Sequence, residues 1–134
     1  MTKLFYLILL ILFLGGWVYI YKIHQPGSPT DYTDVTSNQL KTMLQNKDFY
    51  LVNVHIPYEG EIDKTDAFIP YDQIDKNLDK LPKNKNAKIV LYCKSGRMSA
   101  IAAKRLTELG YNNVYNHILG MHDWQSKDFS LIKK

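Results

Sequence analysis

Hydrophobic positions divide the chain into one continuous apolar run and a longer stretch in which apolar and polar residues alternate. The run is Leu4–Tyr21, LFYLILLILFLGGWVYIY, 18 residues without a charge. As a helix it reaches about 27 Å, close to the roughly 30 Å of a bilayer's hydrocarbon core. Trp17, Tyr19 and Tyr21 cluster near its end, where amphipathic rings favour the lipid interface, and Lys3 and Lys22 flank it. A cleaved signal peptide competes with this reading, but the run exceeds the usual apolar region and bulky residues follow it. The pattern predicts an uncleaved single-pass anchor over residues 1–22, in contact with the lipid bilayer through residues 4–21. The basic residues on its two sides nearly balance, and the short N-terminal tail points to an extracytoplasmic domain.

Residues 23–31 include HQPGSPTD, whose Pro, Gly and Ser mark a linker, and residues 32–134 form the expected domain. Tyr32–Thr36 reads as a short edge strand. Ser37 offers an N-cap for a helix through Leu40, Met43 and Leu44. Phe49–Val54 and Lys88–Tyr92 read as buried strands, and Asn113–Asn116 as a third. Residues 55–71 form a long aperiodic segment with Pro57, Gly60 and Pro70, of the kind that is usually functional. Gln73–Leu81 carries Ile74, Leu78 and Leu81 at helical spacing and stops at Pro82. Ser99–Leu109 is a helix with Gly110 in the position after its cap, and Met121–Lys127 is a last helix around Trp124. Strands separated by helices predict an α/β sandwich with a parallel sheet and right-handed crossovers.

Composition narrows the chemistry. The chain has 134 residues, enough for one domain, with 17 Lys and Arg against 13 Asp and Glu. Lys3 and Lys22 are the only charged side chains in residues 1–22, so the other 112 residues carry 15 bases against 13 acids. That balance leaves no footprint for nucleic acid. A single cysteine excludes an intramolecular disulfide and a Cys-only zinc site. His117 and His122 lack the spacing of a zinc-binding helix, and no cofactor is called for. Glu59, Glu61, Asp63 and Asp66 read as a solvated acidic rim, and Trp124 and Phe129 as core.

Chemistry concentrates in KIVLYCKSGRMSAIAAKRLTELG, residues 88–110. A buried strand delivers Cys93 to its carboxyl end, where open α/β sheets place their sites. Lys94, Ser95, Gly96, Arg97 and Met98 then intervene before a helix that begins near Ser99. So short a loop curls, with successive N–H groups forming an anion nest beside the helix start. Gly96 supplies the positive φ such a curl needs. Lys94 and Arg97 add two cations. A thiol so placed has its thiolate favoured, and the same nest suits an anionic sulfur donor. Attack by Cys93 gives a persulfide, and a second nucleophile removes the outer sulfur. Ser95 and Ser99 are candidate donors to sulfur, Ser99 alternatively a helix cap. His55, at the carboxyl end of its strand, is a further candidate for the pocket, with a surface position as the alternative.

Cys93-x-x-Gly96-x-x-Ser99 and the Ala-rich helix after it resemble the active-site loop of single-domain rhodaneses. LVNV, residues 51–54, resembles that family's strand before its long loop. YNNVYNHILGMHDW, residues 111–124, resembles its following strand, Gly turn and closing Trp helix. The resemblance covers roughly residues 32–129. It implies a rhodanese-like three-layer sandwich around about five parallel strands. It also implies transfer of sulfane sulfur from thiosulfate or a persulfide to cyanide or a thiol through a Cys93 persulfide, with Lys94, Ser95, Gly96, Arg97, Met98, Ser99 and His55 around the substrate. Three positions depart from the family pattern. Asn53-Val54-His55 stands for Asp-Val-Arg, Met98 for the Arg before the loop Ser, and Asp66–Pro70 lacks the usual His. Two other readings remain: a Cys-x5-Arg phosphatase or arsenate reductase, which lacks its Arg because Ser99 is the sixth residue after Cys93, and a non-catalytic sulfide-sensing or binding module tethered to the membrane.

Overall fold

The computed structural model describes residues 32–134, and the anchor and linker expected over residues 1–31 lie outside them. Five strands form one parallel sheet: β1 (Tyr32–Val35), β2 (Tyr50–Asn53), β4 (Ala67–Phe68), β5 (Ile89–Tyr92) and β6 (Val114–His117), in the order β1-β6-β5-β2-β4. The central strand β5 reads IVLY because both of its faces are covered. Ile89 and Leu91, followed by Cys93, join Val52, Val54 and Val114 beneath Ala102, Ala103 and Leu106 of helix α2 (Arg97–Glu108). Val90 and Tyr92 face the other way. They pack with Leu51 against Leu40 of α1 (Ser37–Met43) and Met121 and Trp124 of α3 (Gly120–Ser126). The expected sandwich around a five-stranded parallel sheet is what the chain forms.

Five expectations need correction. The N-cap of α1 is Thr36, not Ser37: its hydroxyl accepts from the Gln39 N–H at 3.3 Å, while Gln39 Oε1 accepts from the Thr36 N–H at 2.8 Å. Ser37 is wholly buried. Residues 73–81 form not a helix but two 3-10 turns, Ile74–Lys76 and Leu78–Lys80. Asn77 divides them: with φ −129° it leaves helical backbone, and its side-chain amide donates at 2.8 Å to the Gln73 carbonyl that a helix would have used. Segment 55–71 contains β4 and also β3 (Glu61–Ile62), which pairs antiparallel with β7 (Leu131–Ile132). Its acidic rim is only partly solvated, because Glu61 is buried against Lys134 at 2.7 Å. Finally, α2 begins at Arg97 and α3 at Gly120, one or two residues earlier than their patterns suggest.

The end of α2 follows the sequence reading. Gly110, at φ +91°, donates to Thr107 O at 2.9 Å, and Tyr111 N–H donates to Leu106 O at 3.1 Å, a complete left-handed helix stop.

Candidate active site

A parallel sheet exposes its carboxyl edge, and β5 carries Cys93 to that edge between β6 and β2. The chain curls at once. Gly96, at φ +89°, takes the N-cap position of α2 and returns its N–H to Cys93 Sγ at 3.1 Å. Ser99, one turn into α2 and fully buried, places its hydroxyl 3.4 Å from the same sulfur and 3.2 Å from Gly96 O. One hydroxyl proton serves one acceptor at a time. Negative charge on sulfur draws it there, because a bond to a charged acceptor is roughly twice as strong as a neutral one.

A second segment clamps the curl from outside. The backbone at the start of α3 donates into it: Met121 N–H to Cys93 O and His122 N–H to Lys94 O, each at 2.9 Å. These amides would otherwise be orphaned at a helix start. A trans peptide sets N–H opposite C=O, so the amides of Lys94 and Ser95 face away from α3. Two glycines permit this approach. A Cβ on Gly96 would lie 1.7 Å from Ile118 O, and one on Gly120, at φ +61°, would lie 2.4 Å from Cys93 O. Gly120 was legible only as the turn glycine of a family resemblance; its contact with the Cys93 carbonyl has no signal in residue spacing.

The other candidates separate by position. Ser95 and Arg97 are exposed and Met98 is half-buried against the core under α2. Lys94 Nζ pairs with Glu59 Oε1 at 3.0 Å, and the other oxygen of Glu59 takes His55 Nε2 at 2.6 Å. These two contacts, that of Lys94 foremost, hold the Glu59 carboxyl below the usual carboxylate range. His55 is therefore buried beside the curl, not on the surface, with its Nδ1 unpartnered. Arg97 forms no ion pair among the described residues. Of the two cations, Lys94 is compensated and Arg97 is free to meet an anion. The sequence reading missed Glu59 as part of this site, because nothing in its spacing distinguishes it from the neighbouring acids.

Behind the loop lies a second polar cluster. Ser37 Oγ donates to Asp123 Oδ2 at 2.5 Å and stands 2.7 Å from His117 Nε2. With the single hydroxyl proton given to Asp123, Nε2–H is the donor to Ser37. Burial pushes His117 down to about 4, so the ring is neutral near pH 7. Both Ser37 and His117 are fully buried. This order, carboxylate to hydroxyl to imidazole, leaves the hydroxyl's proton on the carboxylate side and provides no activated nucleophile.

Comparisons with known proteins bear on the family and the fold. The family model for the Rhodanese-like domain matches residues 36–127. The adenylyltransferase and sulfurtransferase UBA4 of Candida albicans is 31% identical over 111 residues, which are 80% of this chain and 25% of that protein. A rhodanese-like domain protein from Staphylococcus aureus superposes with TM-score 0.65 at 32% identity, over 76% of this chain and 99% of that one. The polysulfide-sulfur transferase homodimer from Wolinella succinogenes gives TM-score 0.64 at 22% identity, over 88% and 90% of the two chains, a likeness of fold alone. The chain spans only 25% to 31% of the length of the curated relatives it matches.

Proposed function

The chain belongs to the rhodanese-like domain family, and from that premise we propose that it is a sulfurtransferase carrying sulfane sulfur as a persulfide on Cys93. The observation that supports this most directly is the pair of donors, Gly96 N–H and Ser99 Oγ, converging on one sulfur at the carboxyl edge of the sheet. In the first half-reaction the Cys93 thiolate attacks the outer sulfur of an anionic donor such as thiosulfate. The donor's S–S bond breaks, sulfite leaves, and Cys93–S–S⁻ remains. In the second, cyanide or a thiolate attacks the outer sulfur, and Cys93 departs again as thiolate. No electrons are gained or lost overall. The amides of the curl stabilise whichever sulfur bears the charge, and Arg97 meets the donor's far oxygens.

We also propose that residues 4–21 tether the domain to a bilayer, on the strength of their length and uniform apolarity. Alkaline extraction of membranes tests this: an anchored chain stays with the lipid, and release into the supernatant refutes the tether.

Intact mass measurement of the full chain in detergent tests the chemistry. Treatment with thiosulfate should add one sulfur, cyanide should remove it as thiocyanate, and Cys93→Ser should do neither. Sulfur uptake without release to any nucleophile would favour the non-catalytic sensing module. Failure of the unsubstituted protein to take up sulfur from thiosulfate or polysulfide would refute the proposal.

A further inference from the structure

The exposed large hydrophobic side chains of the described residues gather at one end of the molecule. They are Tyr58, Phe68, Ile101, Ile118 and Leu119. Phe68 ends β4 and packs edge-on against Tyr58, with ring centroids 5.5 Å apart. Tyr58 precedes Glu59, which holds Lys94. Ile118 and Leu119 follow β6 at the same carboxyl edge, and the Ile118 carbonyl lies against Gly96. Ile101 stands one turn beyond Arg97 on α2. This apolar rim meets the Cys93 curl at Ile118, and at Tyr58 it connects to the curl through Glu59 and Lys94. Scattered single hydrophobic residues on a surface need no explanation, but a grouping around a reactive centre does.

Small substrates do not need such a rim. Thiosulfate and cyanide are recognised by charge and size, and they gain nothing from Leu119 at 54% exposure. Cys93, by contrast, is 1% exposed, so an acceptor must bring a narrow sulfur to the base of the curl. The carboxylates beside Tyr58 and Phe68 are paired, Glu59 with Lys94 and Asp66 with Lys47, whereas Arg97 and Lys104 bracket Ile101 along one face of α2 and neither forms an ion pair among the described residues. Tyr32 enters at the amino end of β1, a strand's length of about 13 Å from the carboxyl edge. The rim is thus at the other end of the sheet from Tyr32.

Resting on the sulfurtransferase reading, we propose that this rim is the docking surface for a protein acceptor. That partner presents one cysteine on a protruding segment, with aliphatic side chains beside it and acidic residues around it. Its thiolate attacks the outer sulfur of Cys93–S–S⁻; the bond between the two sulfurs of the persulfide breaks, the partner carries the sulfur away as its own persulfide, and Cys93 leaves as thiolate. The aliphatic residues meet Ile118 and Leu119, and the acidic ones meet Arg97 and Lys104.

The test uses the full chain in detergent, first loaded with sulfur from thiosulfate, and follows loss of the added sulfur by mass. Three acceptors are compared at equal concentration: free cysteine, an acetylated octapeptide with its cysteine between leucines and aspartates at both ends, and the same peptide with lysines for aspartates. The acidic peptide should react at least ten times faster than free cysteine, and the basic peptide no faster than free cysteine. The double variant Ile118→Ser, Leu119→Ser should remove most of the peptide's advantage while leaving the rate with free cysteine unchanged. Equal rates for all acceptors overturn the inference, as does a variant that slows free cysteine and peptide alike. A dimer of the unsubstituted chain that the double variant dissociates also overturns it, by making a second copy the occupant. If the protein never loads with sulfur, the sulfurtransferase reading itself fails; if it loads and discharges to free cysteine, only the docking surface is at stake.

Discussion

Two donors, Gly96 N–H and Ser99 Oγ, converge on the sulfur of Cys93, and the proposed chemistry turns on the charge they would stabilise there. Ser99 is buried, so its removal leaves no new solvent at the sulfur and isolates the loss of one hydrogen bond. Ser99→Ala should fold normally and lower sulfur uptake by about tenfold, the cost of one bond to a charged acceptor at roughly 1.5 kcal/mol. Uptake at the unsubstituted rate would mean that Gly96 N–H alone suffices. The glycines make a sharper case. Gly96→Ala and Gly120→Ala each combine positive φ with a Cβ closer than 2.5 Å to backbone oxygen, which no side-chain movement relieves. Each should cost at least about 2 kcal/mol and abolish uptake, measured by chemical denaturation and by mass. Gly110 has positive φ but nothing within 4 Å of an added Cβ. Gly110→Ala should cost only about 1 kcal/mol and leave uptake intact. Equal effects at all three would show that backbone strain, and not the closeness of the α3 segment, governs the loop.

Elements differ in how openly the sequence declares them. The capping box on α1 is local, so its cost is too: Thr36→Ala should lower stability by about 1 kcal/mol, a fall of roughly 4–8 °C in the melting temperature. A fall under 1 °C would show that α1 is held by Leu40 and Leu44 alone. Where one element's pattern is decided by its own neighbours, it was legible: β5 as a run apolar on both faces, α2 from its apolar spacing and its Gly110 stop, Cys93 and Gly96 from the shape of a strand-to-helix loop. Other features depend on distant residues. β3 exists because Leu131 and Ile132 return to pair with Ile62 and Glu61, 69 and 71 positions later, and two-residue strands carry no period of their own. The two 3-10 turns at residues 74–80 share the spacing of a helix, and only the Asn77 amide, competing for a backbone carbonyl, distinguishes them. Glu59 joins the site through Lys94, 35 positions away, which no local pattern foretells.

The fold as a whole is tied together by the Ser37, His117 and Asp123 cluster, since each residue comes from a different element. Ser37 opens α1, His117 ends β6, and Asp123 lies in α3, where Lys127 also holds its carboxylate at 3.0 Å. The ring of His117 meets Trp124 edge-on, so it has no path to water. Burial lowers its pKa from 6.5 to about 4, with the nearby Asp123 opposing the shift. In the unfolded chain the ring returns to an ordinary value, so between about pH 6.5 and pH 4 the unfolded state binds more protons than the folded one. Stability is therefore fully present above about pH 6.5 and declines as the solution is acidified through that window. At 1.36 kcal/mol per pH unit the total is on the order of 3 kcal/mol. The Asp123 carboxyl, held low by Ser37 first and Lys127 second, contributes its own loss only below the ordinary carboxylate range, so the two effects separate along the pH axis. Urea denaturation at pH 7 and pH 5 should show the decline, and His117→Gln, which keeps a donor for Ser37 but cannot titrate, should be less stable at pH 7 and nearly flat between the two. A slope that survives in His117→Gln would assign the acid sensitivity to another group and detach it from the joint between α1, β6 and α3.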